Sequence, residues 1–294
     1  MVLPDLQSPL PHGPKDTGEP PPEVGLATLP RRNTVSSLVP MTVAPFQRVA
    51  SSPHRGLAEI ATLIGLYAVY EVVRGQGNAT FAVARAHTDW IVGLERHLHV
   101  FGERALQHGA HAIPGAPTVL GVAYIVLHFV GTTTFLVWLY RRHPERFPLV
   151  RNVFIAATGI ALTLYVLYPV APPRLAGLGF VDTVSANAKV NLSSDLLGSL
   201  YNPFAAVPSL HFGYALLVGV TVARVARSRV WRVLGWSYPL VMLVVIVGTG
   251  NHFFFDAAAG GLAIGAGYLI ASWVDSPRRE SRRRSAWESA AATC

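Results

Sequence analysis

Long apolar runs, interrupted by short charged segments, constrain the fold of this chain more than any other feature. The runs predict six membrane-spanning helices, each long enough, or nearly so, to cross the apolar core of a bilayer at about 1.5 Å per residue. They lie at Leu57–Val73, Thr118–Tyr140, Asn152–Tyr168, Ser209–Val225, Val230–Thr249 and Asp256–Val274. Only 14% of the residues are charged, whereas soluble domains usually carry about 25%. We therefore expect an all-α, polytopic membrane protein with one six-helix bundle.

The segments outside the spans divide the chain into three predicted parts. Residues 1–53 hold 11 of the 22 prolines. Because this composition buries little apolar surface, it predicts a disordered tail. Residues 54–275 form the predicted membrane domain, and residues 276–294 form a basic C-terminal tail.

An amphipathic helix is predicted between the first two spans. The apolar residues that recur there at helical spacing are Phe81, Ala84, Trp90, Ile91, Leu94 and Leu98. The other face of the helix carries the charged residues Arg85, Asp89, Glu95 and Arg96. This pattern predicts a helix that lies at the membrane interface or caps the bundle.

The placement of basic residues predicts the orientation of the bundle. If the N-terminus is cytoplasmic, 18 of the 24 Lys and Arg residues lie on the cytoplasmic side. The positive-inside rule then predicts that both termini are cytoplasmic, in a plasma membrane protein. A net charge of +8 can indicate a nucleic-acid partner. We do not expect one here, because the arginines lie at the ends of apolar spans, where membrane topology explains them. The cluster Arg278–Arg284 instead predicts contact with anionic headgroups.

A histidine and an aspartate stand four residues apart at the start of the last predicted span. They are His252 and Asp256, in the otherwise apolar run Gly250–Gly261. If this run is helical, their side chains lie on one face, one turn apart. A carboxylate beside an imidazole fixes its tautomer and stabilises its cation, as a nucleophilic or acid–base histidine requires. A buried polar pair between membrane helices is the alternative interpretation.

Two further groups are predicted at the same outer surface. Pro208 suits the first turn of a helix and Ser209 can bind a free N–H group, so His211 would lie within the first turn of the fourth span. Arg174 follows the third span, and a guanidinium group can bind two phosphate oxygens. An anchor among lipid headgroups is the alternative for Arg174. Because two helix N-termini meet here, their unpaired N–H groups predict an anion-binding site.

These motifs resemble the signatures of a known enzyme family. Pro208-Ser209-Leu210-His211, and Gly250-Asn251-His252 followed by Asp256, are similar to the second and third motifs of the type-2 phosphatidic acid phosphatase superfamily. The segments Tyr168–Leu175 and Ala205–His211 resemble the branch that includes the inositol phosphorylceramide synthases. The resemblance covers roughly residues 57–274.

The resemblance implies a role for each matched residue. His252 is expected to attack phosphorus and form a phosphohistidine, and Asp256 to orient it. His211 is expected to protonate the departing oxygen and later to deprotonate the acceptor. The residues expected to bind phosphate, with their side chains or nearby backbone N–H groups, are Arg174, Ser209, Leu210 and Asn251. We expect neither a cofactor nor a metal, because a histidine nucleophile with a separate acid supports covalent catalysis without one.

The chain departs from the superfamily pattern in two places. The superfamily has an arginine six residues before the third-motif histidine, where this chain has Ile246. The lysine and arginine of the first motif are represented by Arg174 alone. Fewer cations would touch the phosphate, which favours a phosphodiester with one charge fewer. We therefore expect transfer of a phosphoryl or phospho-alcohol group, similar to phosphoinositol, between lipids.

Three other functions remain open. With water as the acceptor, the same site would be a lipid phosphate phosphatase. A catalytically silent headgroup-binding protein and a metal-dependent hydrolase are the others. The interfacial histidines His97, His99, His108 and His111 do not favour a metal site, because neither cysteine nor clustered carboxylates accompany them. The expected partners are a phospholipid or other lipid phosphate and the bilayer itself, and the oligomeric state is not predicted.

One histidine of the apolar spans stays outside the predicted site. His128 lies within the second span, with three threonines one turn later. Ionisable groups inside membrane segments are rare and commonly functional, so it is a candidate for contact with the lipid headgroup. A hydrogen bond between two helices explains it equally well.

Overall fold

Helices make up the part of the chain that the structure describes. This computed structural model describes residues 53–75, 80–184 and 203–291. Its α-helices are α1 Pro53–Gly75, α2 Phe81–His97, α3 Glu103–His111, α4 Ala116–Ile125, α5 Thr132–Arg142, α6 Phe147–Leu167, α7 Leu210–Val225, α8 Arg229–Gly248 and α9 Phe254–Ala291. Within those ranges no strand forms, and one isolated parallel bridge joins Val170 to Ala205. The all-α class is confirmed.

The structure describes almost none of the predicted N-terminal tail and most of the predicted C-terminal tail. Residues 1–52 of the predicted N-terminal tail lie outside the described part, and α1 begins at Pro53. Within the predicted C-terminal tail, helix α9 continues to Ala291.

Four helical segments of the described part are long and apolar enough to cross a membrane. They are Ala116–Arg142, Phe147–Leu167, Arg229–Gly248 and Phe254–Val274. Shorter apolar segments, Gly56–Val69 and Leu210–Val225, stand where the first and fourth spans are predicted. The 16 residues of α7 extend for about 24 Å, less than the roughly 30 Å of a hydrocarbon core. These helices indicate a membrane protein, and the predicted count of six spans is not confirmed.

The longest apolar segment is not a regular α-helix throughout. A π-helical turn, Val126–Gly131, separates α4 from α5. Tyr238 of α8 donates its hydroxyl to the Leu127 carbonyl at 2.8 Å. The same hydroxyl oxygen would lie only 2.7 Å from a Cβ atom at Gly131. A π turn accommodates one extra residue and commonly marks a functional site.

Helices α7, α8 and α9 pack closely where glycines replace larger residues. A Cβ atom on Gly219 of α7 would lie 2.4 Å from the Gly235 carbonyl oxygen of α8. A Cβ atom on Gly260 of α9 would lie 2.2 Å from the Ser209 carbonyl oxygen, at the start of α7. Small residues let membrane helices approach backbone to backbone. The second contact brings the N-terminal ends of α7 and α9 together.

Two helices, rather than one, form the predicted interfacial segment. Ile91 and Val92 of α2 belong to a buried cluster with Val170, Val207 and Phe253. The prediction that Glu95 lies on the exposed polar face is wrong, because its exposed fraction is 2%. Charge spacing alone placed this residue on the outer face, whereas its carboxyl group accepts a hydrogen bond from the backbone of α9.

Candidate active site

The loop between α8 and α9 carries His252 to a buried carboxylate. Gly250 in this loop has φ +71°, a left-handed conformation that favours glycine. The His252 Nδ1 atom lies 3.1 Å from Asp256 Oδ2, and the two residues are 5% and 0% exposed. His252 precedes the first residue of α9, so the predicted contact forms at a helix N-terminus rather than inside a helix.

Asp256 organises both the imidazole and the beginning of α9. Besides its contact with His252, its Oδ2 atom accepts a hydrogen bond from the Phe253 N–H at 2.9 Å. With Nδ1 of His252 facing a carboxylate, the ring proton belongs on that nitrogen and the lone pair on Nε2. Nε2 of His252 then has the unprotonated lone pair that a nitrogen nucleophile requires.

The second motif is attached to the helices on both sides of it. Ser209 is the N-cap of α7, and its Oγ accepts from the Phe212 N–H at 3.4 Å. The Ser209 N–H donates to the Asp256 carbonyl oxygen at 2.9 Å. The Tyr165 hydroxyl of α6 donates to the Pro208 carbonyl oxygen at 2.8 Å. These bonds fix the start of α7 against α6 and α9. His211 is the second residue of α7 and so lies in its first turn.

His211 lies beside His252 and between two other aromatic rings. The ring centroids of His211 and His252 are 5.8 Å apart. The rings of Tyr124 and His128 stack on His211 at centroid distances of 4.1 Å and 3.9 Å. The predicted site does not include His128, yet its ring stacks directly on the ring of the predicted acid, His211. The available signal was an ionisable residue within an apolar span, four residues after a tyrosine.

Arg174 is held next to the same loop by its backbone and its side chain. Its N–H donates to the Gly250 carbonyl oxygen at 2.9 Å. Its guanidinium Nε lies 3.1 Å from Asp182 Oδ2, and the Arg174 side chain is 7% exposed. The Val170 N–H, earlier in the same segment, donates to the Phe204 carbonyl oxygen at 2.8 Å. The structure therefore brings all three predicted motifs together, and Asp182 is a neighbour that no sequence motif indicated.

Comparison with known protein families identifies this arrangement. The sequence model of the PAP2 superfamily matches residues 89–270, well over half of the chain. The chain belongs to the PAP2 superfamily. No curated protein and no solved structure matches it. Members of this superfamily are generally phosphatases or phosphotransferases, and the family indicates a lipid phosphate as substrate.

The superfamily arginine that this chain lacks has no polar equivalent at its position. Ile246 is 0% exposed and belongs to an apolar cluster with Met242 and Val247. Its carbonyl oxygen accepts hydrogen bonds from the N–H groups of Asn251 and His252 at 3.1 Å and 3.2 Å. The backbone carbonyl of Ile246 thus binds the loop that carries His252, while its side chain packs in the apolar cluster.

Leu210 and Asn251 have their side chains engaged in the protein interior. Leu210 packs in a buried cluster with Leu162 and Tyr165. The Asn251 side-chain amide donates to Thr249 Oγ1 at 2.9 Å. Phosphate binding by either residue stays a prediction, and for Leu210 it would use the backbone N–H at the start of α7.

A pair of buried glutamates also belongs to the surroundings of the site. Glu103 Oε1 accepts the Phe254 N–H at 2.9 Å, and Glu95 Oε1 accepts the Phe255 N–H at 2.7 Å. Burial, followed by a hydrogen bond with Glu103, raises the pKa of Glu95 from 4.5 to about 9. Glu95 is therefore protonated at neutral pH. Sequence patterns gave no signal for this pair, because the two contacts join positions 151 and 160 residues apart in the chain.

The described residues do not form a cluster of metal ligands. Within residues 53–75, 80–184 and 203–291, no group of three or more His, Cys, Asp or Glu residues is arranged to hold a metal ion. His111, one of the interfacial histidines, instead has its Nε2 atom 3.0 Å from Thr183 Oγ1.

Proposed function

We propose that the protein is a membrane enzyme that transfers a phosphoryl or phospho-alcohol group, such as phosphoinositol, between lipids. The observation that carries the proposal is the buried His252–Asp256 pair, with a 3.1 Å contact, beside a second histidine at 5.8 Å. Superfamily membership supports phosphoryl chemistry. A nucleophile oriented by a carboxylate and a separate proton donor are the two groups that a covalent mechanism needs.

The first half of the proposed reaction forms a phosphohistidine. The lone pair on Nε2 of His252 attacks phosphorus, and a P–N bond forms while the bond from phosphorus to the leaving oxygen breaks. His211 gives its proton to that oxygen. The Asp256 carboxylate stabilises the positive charge that develops on the His252 ring.

The second half returns the enzyme to its starting state. His211 takes the proton from the acceptor hydroxyl, and the acceptor oxygen attacks phosphorus. The P–N bond then breaks, and its electron pair returns to Nε2 of His252. The same histidine thus acts first as an acid and then as a base.

Arg174 and the start of α7 are the proposed contacts of the phosphate oxygens. The first N–H groups of α9 already donate to carboxyl groups of the protein. The start of α7 carries no acidic residue in its first turn, and its N–H groups favour an anion. With Arg174 as the guanidinium beside this loop, the site carries little positive charge.

The modest positive charge favours a phosphodiester substrate and therefore transfer to a lipid hydroxyl. A phosphomonoester carries about one more negative charge at neutral pH, and the buried Ile246 offers no cation to balance it. Hydrolysis of a lipid phosphate is the second candidate, because superfamily membership supports both reactions. The two differ in whether water or a hydroxylated lipid reaches the phosphohistidine.

The proposed topology has six membrane helices with both termini in the cytoplasm of a plasma membrane protein. The short apolar segments Gly56–Val69 and Leu210–Val225 would complete the four longer ones. In this arrangement the basic residues on the cytoplasmic side number 18 of 24. His211 and His252 would then both face the extracytoplasmic side, at the outer leaflet.

The test uses purified full-length protein in two separate assays. One contains a headgroup-labelled phosphodiester lipid with a hydroxylated acceptor lipid, and the other contains a lipid phosphate monoester labelled at phosphorus. A new labelled phospholipid supports transfer, and water-soluble labelled phosphate supports the phosphatase alternative. Binding of lipid without either product would favour the catalytically silent alternative. Rapid acid-free quenching should trap labelled protein if the phosphohistidine forms.

The His252→Ala variant tests the nucleophile. It should lose both product and labelled protein, and full activity in this variant would refute the mechanism. His143→Ala is the matched control, because His143 contacts Trp138 and Glu145 rather than the site. It should retain activity. The assay is repeated in the presence of a metal chelator. Activity that persists there excludes a metal-dependent hydrolase.

A further inference from the structure

Two carboxyl groups from the interfacial helices bind the first turn of α9. Glu95 lies in the last turn of α2, and Glu103 is the first residue of α3. They accept the consecutive N–H groups of Phe255 and Phe254. Glu95 and Glu103 are 2% and 0% exposed. Buried carboxyl groups are costly unless they satisfy specific partners, so this pair requires an explanation.

The contacts lie immediately behind the proposed nucleophile. Phe254 and Phe255 stand between His252 and Asp256 in the sequence. Together with the bond from Phe253 to Asp256, three successive N–H groups at this helix end donate to carboxyl oxygens of the protein. The N-terminus of α9 is therefore occupied by internal acids, and the predicted use of both helix ends for substrate phosphate does not hold for this end.

We propose that Glu95 and Glu103 are positioning residues that hold the first turn of α9, and with it His252 and Asp256, at the geometry required for attack on phosphorus. The inference rests on the proposed function, because it assigns a task within that reaction. Neither glutamate needs to touch the substrate. Each acts through the backbone of α9, since a displacement of about 1 Å at a reacting group can cost about 100-fold in rate.

A neighbouring side chain extends the same support to the Arg174 loop. Gln107, one turn after Glu103, donates to the Val181 carbonyl oxygen at 2.9 Å and accepts the Val181 N–H at 3.0 Å. It also donates to the Gly248 carbonyl oxygen at 3.4 Å. Helix α3 thus makes hydrogen bonds to the Arg174 segment, to the end of α8 and to the start of α9. The support for the site therefore comes from several contacts of this helix rather than from one.

Burial raises the pKa of the Glu95 carboxyl group most strongly, and two acidic neighbours add to this effect. A hydrogen bond with Glu103 contributes to the raised pKa of Glu95, and the charge of Asp256 also acts on it. Asp256 is in turn paired with His252 at 3.1 Å.

Two kinds of substitution at each glutamate separate the length of the side chain from its ability to carry a charge. Glu103→Gln and Glu95→Gln keep an oxygen at the same distance from the α9 backbone. Glu103→Asp and Glu95→Asp keep the acid but withdraw it by one methylene group. If position matters, the Gln variants should retain kcat within about 3-fold, and the Asp variants should lose about 10-fold or more, with KM changed by less than about 2-fold.

The opposite ranking would overturn the inference. If the Asp variants keep the wild-type kcat while the Gln variants lose it, the charge of the acids matters rather than their reach. If all four variants keep the wild-type kcat, the pair has no positioning role. Alanine variants are less informative because they leave N–H groups without acceptors and can prevent folding, so thermal unfolding is measured for every variant.

The controls separate this inference from the proposed function. Glu145→Asp makes the same chemical change at a glutamate that is 48% exposed in its side chain, and it should leave kcat unchanged. If wild-type protein has no transferase or phosphatase activity, the proposed function fails. If wild-type protein is active and labelled at His252 while the variants show no Asp-specific loss, this inference alone fails.

Discussion

The imidazole of His128 stacks on the imidazole of His211, with ring centroids 3.9 Å apart and planes 26° from parallel. Tyr124 stacks on the same ring at 4.1 Å and 21°. Because two near-parallel rings at these distances cannot share one face, His211 lies between them. The π turn that contains His128 begins two residues after Tyr124. A widened turn provides room for a third ring between two side chains four residues apart.

Removal of the His128 ring should impair His211 without removing the nucleophile. We expect His128→Ala to lower kcat by about 10- to 100-fold, because the proposed acid loses one side of its support. His128→Phe keeps a flat ring and should retain most of the activity. Steady-state kinetics with the labelled lipid assay measures both. Equal losses in the two variants would show that the chemistry of the imidazole, rather than stacking, is required.

Gly260 should tolerate no larger residue, because it sets the distance between the two helices that carry the histidines. A Cβ atom there would lie 2.2 Å from the Ser209 carbonyl oxygen, a backbone atom that cannot move alone. We expect Gly260→Ala to destabilise the protein by about 1–3 kcal/mol, as overpacking does, and to lower activity. Thermal unfolding in detergent measures the first effect and product formation the second.

Gly265, also in α9, provides the matched control. A Cβ atom there meets no atom within 4 Å. Alanine favours a helix by about 1 kcal/mol over glycine, so Gly265→Ala should leave unfolding unchanged or raise its midpoint. If both variants behave alike, the close contact between Gly260 and Ser209 does not limit the packing of these helices.

The contacts predicted from the sequence are those that depend on short spacing. A separation of four residues was enough to predict the contact between His252 and Asp256, although the contact forms across a helix start. Ser209 binds a free N–H group as predicted, but it does so as the N-cap, and Pro208 lies before the helix rather than in its first turn. In each case local geometry fixes the distance, so it can be read without knowing the tertiary structure.

The contacts that the sequence could not provide depend on packing between distant segments. Glu95 has a helical spacing typical of an exposed face, and only its contact with α9 explains its burial. The π turn contains Leu127, whose carbonyl oxygen accepts a hydrogen bond from Tyr238, 111 residues later in the chain. The fourth predicted span, Ser209–Val225, differs from α7 by one residue, because Ser209 is the N-cap rather than part of the helix. Catalytic roles for the site residues stay predictions.

Arg174 should affect substrate binding more than folding. Charge-assisted hydrogen bonds contribute about 1.5–3 kcal/mol, so we expect Arg174→Ala to lower kcat/KM by about 10- to 100-fold. Arg174→Lys should recover only part of this loss, because lysine lacks the planar fork. Initial rates at varied lipid concentration provide the measurement. An unchanged rate in Arg174→Ala would return this residue to the alternative role of a headgroup anchor.

Asp182 should influence the same step through Arg174. Its carboxylate lies 3.1 Å from the Arg174 Nε atom and orients the guanidinium group. We expect Asp182→Asn to raise KM by a smaller factor than Arg174→Ala does, with little effect on kcat. Arg142→Ala, which changes an exposed arginine at the end of α5, is the control for loss of charge. If Asp182→Asn raises KM further in a protein that already carries Arg174→Ala, Asp182 does not act through Arg174.

Alkaline pH should weaken the attachment of α2 to α9. The pKa of Glu95 is about 9 in the folded protein, against 4.5 for an ordinary glutamate. The folded state therefore binds the proton more tightly, and the stability that Glu95 contributes is complete below about pH 4.5 and decreases as the pH rises towards 9. Thermal unfolding between pH 6 and 9.5 should show a falling midpoint in wild-type protein and a flatter profile in Glu95→Gln, which cannot ionise. Parallel profiles would mean that Glu95 is not the group that holds this proton.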